Sequence, residues 1–144
     1  MSSARIWADP VSCVRPDSTV LEAIQMMDRE KVGAVVVMND DGLKGIFSER
    51  DVMLRVVLPL RNPETTRISD VMTSPVETVP KNATTDDALK LMLERHIRHL
   101  PVIGESGRVE GMLSIRTLLN QKVEDLTLEL DTLEAYFTAD GAGG

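Results

Sequence analysis

The seven residues Gly45-Ile46-Phe47-Ser48-Glu49-Arg50-Asp51 decide how this chain is read. A glycine opens an apolar strand and Ser48 closes it. Asp51 stands three residues further on, the spacing of a helix N-cap and its N3 partner. Sixty-six residues later comes Gly111-Met112-Leu113-Ser114-Ile115-Arg116-Thr117. With an offset of 65 residues the match runs backwards through the chain, placing Pro10 on Pro75, Val14 on Val79, Thr19 on Thr84, Ala23 on Ala88, Met27 on Met92 and Val37 on Val102. The change of offset is one extra residue in the second hairpin turn, which a surface turn tolerates. The chain is an internal duplication.

Outward from the two motifs, each copy has the same order. Val11 to Val14 and Val76 to Val79 are short β-branched stretches that polar residues and proline interrupt, the pattern of brief strands. Thr19 with Glu22, and Thr84 with Asp87, have capping-box spacing; the shorter aspartate makes the second box the weaker expectation. Ala23, Ile24 and Met27, matched by Ala88, Leu89 and Met92, recur at helical spacing and face a core. Ala34 to Met38 is apolar without alternation, as in a strand covered on both faces. Its counterpart, His99 to Ile103, contains Pro101, which marks an edge or a special backbone site. Hairpin turns at Asn39 to Gly42 and Glu105 to Gly107 lead into the motif strands and a second helix.

The unit is β-α-β-β-α written twice, a mixed α+β (α/β) fold. The first repeat with its linker is expected over 1–66 and the second over 67–120, Leu58 to Ser69 with Pro59 and Pro63 forming the link. The second copy then continues where Pro59 stops the first. Leu119, Val123, Leu126, Leu130, Leu133 and Phe137 make a heptad seam along a C-terminal helix over 115–137. Such a seam lies on the chain's own core or pairs with a second chain. The polar Glu124, Asp125, Glu129, Asp131 and Glu134 favour pairing. A disordered tail is expected over 138–144.

Composition limits the function classes. Halves of a 144-residue chain bury too little surface to stand apart, so the repeats must pack on each other. Aromatics are 3% against 42% apolar residues, which predicts an aliphatic core filled with methionine. A net charge of −7 with no basic run argues against nucleic acid, while a few local Arg and His still suit a nucleotide. Cys13 is the single cysteine, which rules out a disulfide within the chain and is expected to be a small buried residue. The N-terminus has no signal pattern and no run reaches membrane-spanning length, so a cytoplasmic setting is expected.

The duplication, the segment Arg98-His99-Leu100-Pro101-Val102 and the two motifs resemble a tandem pair of CBS domains, the Bateman module, over about residues 5 to 120. The resemblance implies two halves about a pseudo-twofold axis, with clefts for adenosine-containing ligands such as AMP, ADP, ATP, S-adenosylmethionine or NAD, and dimers through the CBS faces or the C-terminal helix. It assigns Ser48 and Asp51 to phosphate and ribose, and Arg98, His99 and Arg116 to phosphates across the axis. Arg50 serves the other cleft, where Ser114 and Thr117 form a second, degenerate site. On physical grounds a carboxylate at Asp51 accepts two hydrogen bonds from a diol, and free N–H groups at the helix start suit a phosphate. The alternative is that Ser48 only caps its helix. For the adenine, Ser12, Val14, Val35, Met72, Thr78, Val79 and Pro101, with Ile6, Trp7 and Val71, are the weaker candidates.

Other constellations carry less. His96 and His99 have no third metal ligand beside them, and no nucleophile-elbow, phosphate-loop or dinucleotide glycine motif is present. A catalytic role and a catalytic cofactor are therefore not expected. Two classes stay open: a nucleotide-sensing regulator acting on an unidentified effector protein, and a structural dimerisation module.

Overall fold

In each repeat a brief strand, a helix and a hairpin fold into a three-stranded sheet with the helix on one face. The structure is a computed structural model and describes residues 11–142, with side chains as far as Tyr136. The first sheet has β1 (Cys13–Val14) parallel to β2 (Ala34–Asn39), which pairs antiparallel with β3 (Gly42–Ser48). The second has β4 (Val79–Pro80) parallel to β5 (His99–Ile103), antiparallel to β6 (Val109–Ser114). Helix α1 (Val20–Glu30) follows β1, and α3 (Thr85–Arg95) follows β4. After β3 comes α2, an α-helical turn Glu49–Asp51 that continues as a π-helical stretch Val52–Val57; after β6 comes α4 (Ile115–Ala142).

The duplication persists in fine detail. Both helices of the first pair end on a non-glycine residue in the left-handed region, Lys31 and His96, each with φ 55°. Their N–H groups return to Met27 O and Met92 O. Both hairpins turn at a glycine with positive φ, Gly42 and Gly107, a backbone that a side chain strains. Both central strands carry an irregularity at the same place, after Val37 and after Val102.

Pro101 accounts for one departure. In the first sheet Val36 N–H donates to Ser12 O at 2.9 Å. Pro101, the equivalent residue, has no N–H to give. Pairing of β4 with β5 accordingly starts one residue later, at Val79 against Val102, where the first copy starts at Cys13 against Val36. Both initial strands are thus shorter than the apolar stretches suggest.

The capping boxes reverse the expectation. The reciprocal box closes in the second copy, with Thr84 Oγ1 accepting from Asp87 N–H and Asp87 returning to Thr84 N–H. In the first copy only the Thr19 half forms. There Val20 N–H donates to Thr66 O and Leu21 N–H to Pro63 O, each at 2.9 Å. Linker carbonyls thus satisfy the first two orphan N–H donors of α1, groups that a capping box does not reach.

Side-chain alternation then builds three cores. Val35, Val37 and Phe47 face α1 in the first, and Leu100, Val102 and Leu113 face α3 in the second. Ala34, Val36 and Met112, from the opposite faces of the two sheets, bury one another between the repeats. Apart from Leu118, α4 has little to cover it. Leu119, Val123, Leu126, Leu130 and Leu133 are each about half exposed or more. The helix runs on to Ala142, past the residue where a disordered tail was expected to begin.

Candidate functional site

Ser48 is the last residue of β3 and the N-cap of α2, and its side chain accepts from Asp51 N–H at 3.3 Å. Asp51 Oδ2 accepts in return from Ser48 N–H at 3.0 Å and Ser48 Oγ at 3.2 Å. Its other oxygen, Oδ1, accepts from Thr73 Oγ1 at 3.2 Å and lies 3.6 Å from Arg55 Nε. In the second copy Ser114 Oγ and Thr117 Oγ1 are 2.9 Å apart, and Thr117 N–H donates to Ser114 Oγ at 3.1 Å. A charged cap and a neutral cap thus occupy equivalent places.

The helix starts are less open than the motif suggests. Glu49 N–H donates to Gly33 O at 3.0 Å, and Ile115 N–H to Arg98 O at 2.8 Å. With the Asp51 and Thr117 amides used by their caps, two of the first three N–H groups of each helix are committed within the protein. The expectation of free amides for a phosphate is corrected accordingly.

Both motifs open on one cleft of about 1430 Å³ between the repeats. It brings Ser48, Arg50 and Asp51 together with Arg98, His99, Ser114, Arg116 and Thr117, and Ser12 lies in the same wall. Six basic side chains line it, Lys31, Arg50, Arg55, Arg95, Arg98 and Arg116, against the carboxylates Asp28, Glu49 and Asp51. In a chain of net charge −7 that is a strong local reversal of sign, and it attracts anions.

His99 crosses to the first repeat. A Cβ on Gly33 would stand 3.2 Å from His99 Nε2 and 3.0 Å from Glu49 Oε1, so the missing side chain makes room for the ring. Burial pushes the His99 pKa below the ordinary histidine value; Glu49 pulls it up and Arg98 pushes it down. His99 is therefore chiefly a neutral hydrogen-bonding ring at neutral pH, and the arginines hold the positive charge.

Of the adenine candidates among the described residues, Ser12 alone lines this cleft. Val14 and Val35 are buried in the first repeat's own core, and Val79 in the second's. Met72 packs against the first core, Pro101 is buried in β5 opposite Met112, and Thr78 stands just before β4. None of these six lines the cleft; strand alternation turns Val14, Val35 and Val79 toward the helices. Val71 belongs to the first core, and Ile6 and Trp7 lie outside the described residues. Cys13, expected to be buried, is exposed, with its thiol 3.7 Å from Met38 Sδ and its pKa raised by partial burial.

Among the cleft residues that escaped the sequence reading are Lys31, Arg55, Thr73 and Arg95. Arg55 was legible as the i+4 partner of Asp51 on a helix. Thr73 was not, since 22 residues separate it from Asp51 and only the folded linker joins them.

Two small sheets, a shared cleft and a doubled Ser-x-x-Asp/Thr cap define a paired regulatory-type domain, and comparison with known proteins gives its family. The CBS domain profile matches residues 7–58 and again 68–124. The chain belongs to the CBS domain family. It is 34% identical over 125 residues to the CBS domain-containing protein CBSX3, mitochondrial, of Arabidopsis thaliana, covering 83% of this chain. It spans 54% and 60% of the lengths of the curated relatives it matches first. Among solved structures, a putative signal-transduction protein with CBS domains from Burkholderia ambifaria superposes with a TM-score of 0.77 at 34% identity, over 82% of this chain and 86% of that one. The cytosolic domain of the Mg2+ channel MgtE, solved in complex with ATP, superposes with a TM-score of 0.62 at 26% identity, over 76% of this chain and 44% of that one.

Proposed function

We propose that the chain is a non-enzymatic sensor that binds an adenosine-containing ligand in the cleft and passes its occupancy to an effector protein by a change in the angle between repeats. The carrying observation is the placement of Asp51 and the six basic side chains on the walls of one cleft in an otherwise acidic chain. Asp51 and Ser48 take the ribose end. Arg98, His99 and Arg116 take the phosphates, with Arg50 on the side of the weaker site at Ser114 and Thr117. The ATP complex of the MgtE domain supports an adenine nucleotide, and S-adenosylmethionine and NAD stay beside AMP, ADP and ATP as candidates. The Ser48 hydroxyl is engaged with Asp51 and the Ser114 hydroxyl with Thr117, so neither is coupled to a histidine base, which speaks for binding over catalysis. Among the described residues no helix is long and apolar enough to cross a membrane. A cytoplasmic setting agrees with this reading.

A homodimer completes the reading. Met53 and Val57 on α2 are 60% exposed, and Leu119 and Val123, their equivalents at the 66-residue offset, are 49% and 61% exposed. Together with the α4 seam they form an apolar surface that a second copy would cover. Leu126→Lys with Leu133→Lys should then halve the mass found by sedimentation, and an unchanged mass would remove α4 from the interface.

The structural alternative has one observation in its favour: the protein's own groups already satisfy the Asp51 carboxylate. A thermal-shift screen with AMP, ADP, ATP, S-adenosylmethionine and NAD decides between them. A ligand at about 100 times its dissociation constant adds roughly 2.7 kcal/mol by mass action, a rise of several degrees. No response to any of the five would favour the structural role.

A further inference from the structure

Three hydrogen bonds and one ion pair hold the Asp51 carboxylate, and its two oxygens are used differently. Oδ2 is closed by the N–H and Oγ of Ser48, within the cap that starts α2. Opening it would uncap the helix. Oδ1 is held from outside the cap, by Thr73 Oγ1 at 3.2 Å and by Arg55 at 3.6 Å. A ribose diol brings two donors; the one hydrogen-bonding position open on Oδ1 takes the first, and the second finds room only if Thr73 Oγ1 leaves. Arg55 does not depend on Oδ1, because its Nη1 also donates to Met72 O at 2.8 Å and it is about half exposed.

Thr73 belongs to the segment that joins the repeats. It bridges to β3 by a pair of bonds, Thr73 N–H to Ile46 O at 2.8 Å and Ile46 N–H to Thr73 O at 3.0 Å. Arg55 grips the preceding carbonyls of Val71 and Met72. Gly45 lets the segment lie flat, since a Cβ there would stand 2.5 Å from Met72 Sδ and 3.0 Å from Thr73 O. Asp51, Arg55 and Thr73 are therefore a clasp between the nucleotide motif and the start of the second repeat.

We propose that Thr73 is a specificity-determining residue of the cleft: its hydroxyl and the ribose of the ligand compete for Asp51 Oδ1, and ligand entry loosens residues 71–73 from β3. The proposal rests on placing the ribose at Asp51. It gives the occupied cleft a route to the second repeat through the linker, where the competing hydroxyl is attached.

The test is calorimetric titration of the full chain with AMP, in the wild type and in Thr73→Val, Thr73→Ser and Asp51→Asn, together with amide hydrogen exchange with and without AMP. Valine keeps the shape of threonine and removes the competing donor. Thr73→Val is expected to bind AMP roughly threefold to tenfold more tightly, the scale of one hydrogen bond. Thr73→Ser should match the wild type. AMP should speed exchange of the Thr73 amide in the wild type and leave it unchanged in Thr73→Val. If Asp51→Asn loses AMP while Thr73→Val binds it equally or more weakly, Thr73 does not compete and the proposal is overturned. If Asp51→Asn binds AMP as the wild type does, the ribose assignment beneath it is overturned instead.

Discussion

The two ends of the cleft are built by a repeated piece of chain, and one difference between them is the group at Asp51 and Thr117. At the first, a serine caps a helix whose third residue is a carboxylate, with Thr73 and Arg55 gathered around it. At the second, the same serine faces the Thr117 hydroxyl at 2.9 Å. The helix start is satisfied in both copies, so capping alone does not require the charge at Asp51. A partly buried carboxylate is costly to desolvate unless it is paired, and Arg55 and Thr73 hold the Asp51 charge. The comparison teaches that the cap is shared scaffolding and that the negative charge is what the first copy adds.

The cores of the two copies differ as well, and they set the largest effect. Phe47 and Leu113 are equivalent and both are fully buried. Phe47→Ala should cost about 3–5 kcal/mol and Leu113→Ala about 2–5 kcal/mol. Because Ala34, Val36 and Met112 bury one another across the repeats, either substitution should lower a single shared unfolding transition in calorimetry. Two separate transitions would show that the repeats fold independently.

Next comes a substitution that makes the second end resemble the first. Thr117→Asp restores the carboxylate beside Ser114, and a charged hydrogen-bonding partner is worth about 1.5–3 kcal/mol. Titration with AMP is expected to change from one site per chain to two. A stoichiometry that stays at one would place the cause of the asymmetry elsewhere, with the basic side chains around each end as the next candidates.

The smallest effect concerns His99, whose equivalent in the first copy is Ala34. Burial, with Arg98 adding to it and Glu49 opposing it, holds the folded-state pKa below the ordinary value of about 6.5. The unfolded chain therefore binds more protons in the window just under that value. Stability is fully present above it and declines as the pH falls toward the folded-state pKa. His99→Asn should flatten that part of the melting-temperature profile between pH 7.5 and 5.5. An unaltered profile would assign the acid sensitivity to other groups.

Much of this was legible in the sequence because a duplication writes its evidence twice. The offset that aligns Gly45 with Gly111 gave the element order and the turns at Gly42 and Gly107, and the family resemblance set Ser48 and Asp51 beside Arg98 and Arg116, all four of which line one cleft. Pro101 was correctly read as a special backbone site, since a missing N–H acts locally. The misses come from tertiary structure. Strand alternation turned Val14, Val35 and Val79 away from the cleft, linker carbonyls took the first two amides of α1, and Thr73 reached Asp51 by a fold that no local pattern announces.

The central claim is that the first repeat holds the sugar of a nucleotide whose anionic end meets the arginines of the second. It is tested most directly by titrating AMP and ATP into the wild-type chain and into Asp51→Ala. The account predicts saturable binding to the wild type and a loss of roughly tenfold or more in the variant for both ligands, as expected when a charged acceptor is removed. Equal affinity in the two proteins would contradict it.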